Sequence, residues 1–256
     1  PTLGEINPWD EASYVHGGQL LMYGTLPVFA GSPLSAALYA ISNFLFSAST
    51  FWMLKSVAAI RLIAYSLVWL SAFLIGKQLK QYLHPLVSCG ILLAAPFLTK
   101  MLRFPTDPLF VGFAGLGLWQ MIVYHQTGKM RSVIAASLFI TLSAAARNDG
   151  LVIFAAISLW MVARVIVKRN SWYALLAYVL PFAFLVGGYV LLYGSVTGNY
   201  ALGTAERTYD NFEAGQIAVY SGQTGVNSAV DAKREARRLF GTPEENDYSV
   251  VNAILR

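Results

Sequence analysis

Six hydrophobic segments follow one another and leave few architectures open: Val57–Gly76, Pro85–Leu102, Leu109–Tyr124, Ser132–Ala146, Leu151–Val167 and Trp172–Tyr193. A helix needs about 17–25 largely apolar residues to cross a bilayer. The first, second and last segments meet that length directly. Leu109–Tyr124 and Ser132–Ala146 are short and must borrow flanking residues. Leu151–Val167 carries Arg164 near one end, where a long cationic side chain can reach the interface. Only 12% of the 256 residues are charged and 56% are hydrophobic, whereas soluble domains carry about 25% charged residues. The expected fold is therefore an all-α, polytopic transmembrane bundle.

The connections set the sidedness. Lys77 and Lys80 share one connection, Lys129 and Arg131 the next, Lys168 and Arg169 a third, and none of the three contains Asp or Glu. Connections rich in Lys and Arg stay on the cytoplasmic side. Every acidic residue then falls outside: Glu5, Asp10, Glu11, Asp107, Asp149 and all those from Glu206 onward. The same rule decides between one long helix over Ser132–Val167 and a hairpin. A single helix would put Lys129 and Lys168 on opposite faces, so a hairpin is expected, with Arg147-Asn148-Asp149-Gly150 at its outer tip and Gly150 serving the tight reversal. The net charge of +5 is a topology signal and not a sign of nucleic-acid binding.

Residues 1–56 read as an outer segment. Within it, Leu34, Leu38, Ile41 and Leu45 form a helical stripe over Pro33–Ala48, with Ser35, Ser42, Asn43 and Ser47 off the stripe, as in an amphipathic helix lying in the outer interface. Were this stretch a span instead, Asp10 and Glu11 would fall on the cytoplasmic side. Residues 57–193 hold the six spans. Residues 194–256 read as a polar external tail, either a small outer domain or a long loop before further spans. In it Ala229–Phe240 is a basic helix ended by Gly241, followed by a capping box at Thr242-Pro243-Glu244-Glu245. Its Lys233, Arg234, Arg237 and Arg238 read as a solvated or lipid-facing surface. The start at Pro1 and the unfinished helix at Ile254-Leu255-Arg256 lead us to expect a portion of a longer protein. The single cysteine, Cys89, excludes an internal disulfide and a thiolate metal cluster. There is no Asn-x-Ser/Thr sequon, in keeping with a bacterial inner membrane and a site facing the periplasm.

Three outer connections carry the candidate chemistry. The first holds the adjacent carboxylates Asp10 and Glu11, with His16 beyond them. The second holds Lys100, Arg103 and Asp107, the third Arg147 and Asp149. Carboxylates serve as general bases or hold a divalent metal, while Arg and Lys bind phosphate. Asp10 and Glu11 are the catalytic candidates. Asp107 and Asp149 would orient an acceptor or help to hold a metal, and Arg103, Lys100 and Arg147 would bind a donor phosphate. Each has a plainer role open to it. Asp10-Glu11 and Asp107 suit helix N-termini, Lys100 and Arg103 suit head-group anchoring, Arg147 and Asp149 can pair with each other, and His16 fits as interfacial filling.

These residues resemble the GT-C membrane glycosyltransferases, in particular the dolichyl-phosphate-mannose-protein mannosyltransferase and aminoarabinose-transferase-like group. The resemblance rests on Trp9-Asp10-Glu11-Ala12-Ser13-Tyr14, on Ser32-Pro33-Leu34 opening the interfacial helix, on Ile60-Arg61-Leu62, on Pro105-Thr106-Asp107, and on Arg147-Asn148-Asp149-Gly150-Leu151. It covers Trp9–Tyr193. It implies a polyprenyl-phosphate-linked sugar as donor, a glycan, lipid or protein acceptor, transfer on the outer face with inversion, and a catalytic carboxylate that maps to Asp10. It also implies a span before the first outer segment and several after the last. Many relatives have Pro-Pro where this chain has Ser32-Pro33. A transporter or flippase for a lipid-linked glycan or an anion is the second reading, and a non-catalytic assembly subunit the third. Transporters place polar groups at mid-span, whereas the charges here cluster at span ends.

Overall fold

The computed structural model describes residues 10–24, 32–47, 52–79, 106–168, 170–197 and 200. Among them it is wholly helical, with seven helices: α1 (Asp10–Met22), α2 (Pro33–Phe46), α3 (Trp52–Gln78), α4 (Thr106–Thr127), α5 (Met130–Ala146), α6 (Asp149–Ile166) and α7 (Trp172–Thr197). Lys55–Gln78 of α3, all of α4 and α6, and Trp172–Val196 of α7 are long and apolar enough to cross a membrane. α5 is a shorter apolar helix of 17 residues, at the lower limit for a span. The expected span Pro85–Leu102 and the external tail, apart from its first residues, lie outside the described residues.

α3 and α4 run parallel. Val57 and Ile60 share a buried cluster with Leu109 near their starts, and Gln78 donates through Nε2 to Gln126 Oε1 near their ends. Glycines let the two backbones approach. A Cβ on Gly112 would lie 2.7 Å from Leu67 Cβ, and one on Gly115 would lie 2.6 Å from Ser71 Oγ. Gln78 and Thr106 thus stand at opposite ends of the bundle.

α4, α5 and α6 form an antiparallel series. Ser143 Oγ donates to Phe110 O at 3.3 Å, and Gly117 faces Ile140. α5 is the central element, packed against α2, α4, α6 and α7. Its hydroxyls at Ser132, Ser137, Thr141 and Ser143 are buried and are spent on carbonyls where they are paired: Ser137 on Tyr178 O of α7, and Thr141 on its own Ser137 O. Buried apolar residues of α4–α7, among them Ile140, Met161, Tyr178 and Phe182, form one core cluster. α6 and α7 turn large apolar residues outward (Val152, Leu159, Ile166, Leu180, Phe184, Leu191), the pattern of lipid-facing helices.

α2 is one of the two shorter apolar helices. The helix is where the stripe put it, started by Ser32, whose Oγ accepts from Ser35 N at 3.1 Å, with Pro33 in the first turn. Its serine face is the buried one. Ser35, Ser42 and Asn43 point inward with Tyr39, while Ile41, Phe44 and Leu45 are exposed. That is inverted relative to a helix on a water-soluble protein. At 14 residues, α2 is about 21 Å long, too short to cross.

Candidate functional site

At one end of the bundle three helix termini meet. α4 begins with Asp107 in its first turn, where a carboxylate is favoured by the unpaired N–H groups. α5 ends at Ala146. Arg147 leaves it in an extended conformation (φ −155°, ψ 137°), its N–H still donating to Ser143 O. Asn148 leads directly into α6, whose first residue is Asp149. The reversal therefore occupies only Arg147 and Asn148, and it brings Arg147 beside Asp149 at the start of α6.

Gly150 serves this reversal differently from expectation. It sits inside the first turn of α6 with ordinary helical backbone, and the described glycines with positive φ are Gly24 and Gly128. A Cβ at Gly150 would collide with the backbone of Ala144 and Ser143. Close approach of α5 and α6 is what requires glycine here.

The Arg147 guanidinium joins all three termini. Nη1 donates to Asp107 Oδ1, and Nε donates to Asp149 Oδ2 at 2.5 Å. The expected Arg147–Asp149 pair across the tip is thus present, and Asp107, 40 positions away, completes it. The side chains are 46%, 26% and 56% exposed for Arg147, Asp107 and Asp149, so in water each pair would contribute only about 0–1 kcal/mol. Their weight lies in position. Partial burial alone would lower the Arg147 pKa, but the hydrogen bonds and charges of Asp107 and then Asp149 outweigh it and raise the pKa above its ordinary value. A cation with a raised pKa keeps its stabilising contribution below its unfolded-state pKa and loses it only on the alkaline side. Arg147 is therefore a fixed positive charge at physiological pH. Two of its five N–H donors are engaged, leaving three for a further anionic or hydroxyl group.

Asp10 and Glu11 open α1; they stand in a helical first turn rather than in a loop. Of these two residues the structure describes the backbone only. One turn on, Tyr14 and Val15 are buried in the same cluster as Leu109 and Ala146, the apolar neighbours of Asp107 and Arg147. Ser32 Oγ also donates to Ala145 O at 3.3 Å. The start of α1, the start of α2 and the Arg147 cluster accordingly share one end of the bundle, as expected for three converging connections. His16 is exposed. Lys100 and Arg103 lie outside the described residues. Among the described residues no group of three or more His, Cys, Asp or Glu is placed to hold a metal ion. Asp107 and Asp149 converge on Arg147.

The opposite end is basic. Lys77 closes α3, Lys129 and Arg131 open α5, and Lys168 follows α6; all four are exposed. Arg164 lies over the Trp160 ring at 5.1 Å and donates through Nε to Asn170 Oδ1 at 3.2 Å. His125 meets the same ring edge-on.

One residue belongs with the site candidates that sequence reasoning left out. Arg61 is 3% exposed, inside α3, a helix long and apolar enough to span. A cation at membrane depth marks a functional pathway by default. The signal was present in Ile60-Arg61-Leu62, a charge within an apolar run. No family model, curated protein or solved structure matches the chain.

Proposed function

We propose that the protein is an integral membrane glycosyltransferase. It moves a sugar from a polyprenyl-phosphate-linked donor to an acceptor hydroxyl at the outer, periplasmic face, and it adopts a GT-C-like bundle in which α2 lies in the outer interface. The observation that carries this reading is the assembly of Asp107, Arg147 and Asp149 at the same end of the bundle as the start of α1. This end offers carboxylates and a fixed cation together, at the ends of apolar helices.

In the reaction, Asp10 takes the proton of the acceptor hydroxyl. The acceptor oxygen bonds to the anomeric carbon as the bond from that carbon to the phosphate oxygen breaks, so the configuration inverts. The electron pair leaves with the lipid phosphate, and the cations Arg147, Lys100 and Arg103 offset its growing charge. Glu11, Asp107 and Asp149 orient the acceptor or contribute to a metal site. Arg61, buried in α3, adds a further cation.

Arg61 is also the observation that favours the second reading, a transporter or flippase for a lipid-linked glycan or anion, because charges within spans line transport pathways. One experiment separates the two. Sugar transfer from polyprenyl-phosphate donors is measured in membranes containing wild type or Asp10→Asn, with protein level as control. Loss of transfer by about 100-fold or more at equal expression is the expected result, from the size of general-base effects. Transfer unchanged in the variant would remove Asp10 from the mechanism. A wild type that moves donor across the membrane without consuming it would bring the transporter reading forward.

A further inference from the structure

At the basic end of the bundle one cation differs from its neighbours. Lys77, Lys129, Arg131 and Lys168 are exposed, whereas Arg164 is partly buried and held in place. Its guanidinium lies 5.1 Å from the centre of the Trp160 ring, one helical turn back on α6. Its Nε donates to Asn170 Oδ1 at 3.2 Å, and its carbonyl accepts from Asn170 N at 3.2 Å. His125 of α4 meets the same indole edge-on and braces it. Ordering a long side chain costs rotamer freedom, and no carboxylate is there to offset it. The described acidic residues, Asp10, Glu11, Asp107 and Asp149, all belong to the other end. The turn after α6 repeats the pattern. Lys168 lies inside the loop that the Arg164–Asn170 bonds close, with φ at 56°, a conformation that favours glycine. The chain thus keeps a second cation beside Arg164 against the preference of its backbone.

The chemistry of this corner narrows its ligand. With Nε tied and one face on the indole, the guanidinium presents its Nη groups as a fork that fits two oxygens of one phosphate. The surroundings say what carries that phosphate. Leu159 and Ile166 of α6 point outward on the lipid-facing side, and Trp172 and Tyr173, just past Asn170, are exposed aromatic residues of the kind that gather at head-group level. A phosphate here belongs to a lipid whose acyl chains run along α6. A head group with an ammonium suits the corner poorly. Arg164 and Lys168 repel it, and none of the described acidic residues is at this end to pair with it. A phosphodiester with a net negative charge and a hydroxylated head group, as in phosphatidylglycerol, meets neither obstacle.

We propose that Arg164 and Lys168 form a site for the phosphate of one anionic phospholipid in the leaflet at the basic end, with Trp160 and Asn170 as positioning residues. The site stands apart from the Arg147 cluster and does not rest on the sugar-transfer reading. In the test, the whole protein in detergent is titrated with phosphatidylglycerol, phosphatidylethanolamine and phosphatidylcholine of equal acyl chains, and retained lipid is counted by native mass spectrometry. Wild type is expected to hold one phosphatidylglycerol about tenfold or more tighter than either other lipid, the scale of two cations near a membrane surface. Arg164→Gln should erase that preference, and Arg164→Lys, which keeps the charge without the fork, should retain part of it. Lys168→Gly should weaken phosphatidylglycerol about fivefold while raising stability without lipid. Asn170→Ala, which alters no charge, should weaken phosphatidylglycerol alone by releasing the guanidinium. These last two variants carry the test if Arg164→Gln does not fold. Lys77→Gln, a charge lost from another helix, should leave the preference within about twofold. Equal losses in Lys77→Gln and Arg164→Gln would mean diffuse attraction and overturn the site, as would a wild type without preference. Displacement of the lipid by millimolar inorganic phosphate would give the corner to a soluble anion and overturn the lipid assignment.

Discussion

Where α4 and α6 begin, Asp107, Arg147 and Asp149 are tied to one another. At the other end Lys77, Lys129, Arg131 and Lys168 stand exposed, with no acidic residue among the described residues to meet them. The same types of side chain are used for two purposes. Unpaired cations address head groups and the sidedness of the chain. The paired end ties three helix termini together through one guanidinium, and without Arg147 two carboxylates would face each other.

The largest effect that could break this comparison is topological. With Cys89 replaced by Ala, Asn148→Cys and Lys129→Cys, both at exposed positions, should label with a membrane-impermeant thiol reagent from opposite sides of intact vesicles, each fully from one side only. Labelling from the same side would dissolve the two-ended description. Next in size is the contrast between ends. Arg147→Ala should reduce turnover about 100-fold, the scale of losing one preorganised charge, with Arg147→Lys recovering part of it. Lys129→Ala should change turnover less than about twofold, as a head-group anchor with no substrate contact. Comparable losses at both ends would mean that the ion cluster has no special part in the reaction.

Smaller effects sharpen the structural side. Gly150→Ala should lower stability by about 1–3 kcal/mol in a denaturant titration, since the new methyl meets the α5 backbone. Gly128→Ala, where nothing crowds the Cβ but φ is 67°, should cost only about 1 kcal/mol. The smallest shift is a gain. Lys168 holds φ at 56°, and Lys168→Gly should raise stability by about 0.5–1 kcal/mol by relieving that backbone.

Four of the expected spans and the sorting of charges are legible in the sequence because both follow local rules, apolar length and the bias of Lys and Arg. The hairpin at Arg147–Gly150 was legible for the same reason. The partner of Arg147 was not, since pairing with Asp107 depends on the register of α4 against α5, which Ser143, Phe110 and Gly117 set through packing. The stripe on α2 told helix from strand, but not which face is buried. Ser42 and Asn43 read only as lying off the stripe, and a bilayer removes the usual link between polar and outward. Arg61 was visible as a charge in an apolar run, yet its burial depends on how α3 packs.

α5 has a history that its neighbours do not. It is the shortest of the apolar helices after α2, it carries four buried hydroxyls, and Arg131 stands in its first turn. Insertion into a bilayer discriminates by segment length and polarity, and on those grounds α5 is a poor candidate to leave the translocation machinery unaided. α4 precedes it by a two-residue connection and α6 follows after two more, so the three enter most readily as one unit. A nascent chain stopped after α5 would still lack the Tyr178 carbonyl that Ser137 uses, whereas Thr141 and Ser143 find theirs in α5 and α4. α7 supplies the last partner, so the polar side of α5 is complete only when α7 has been made.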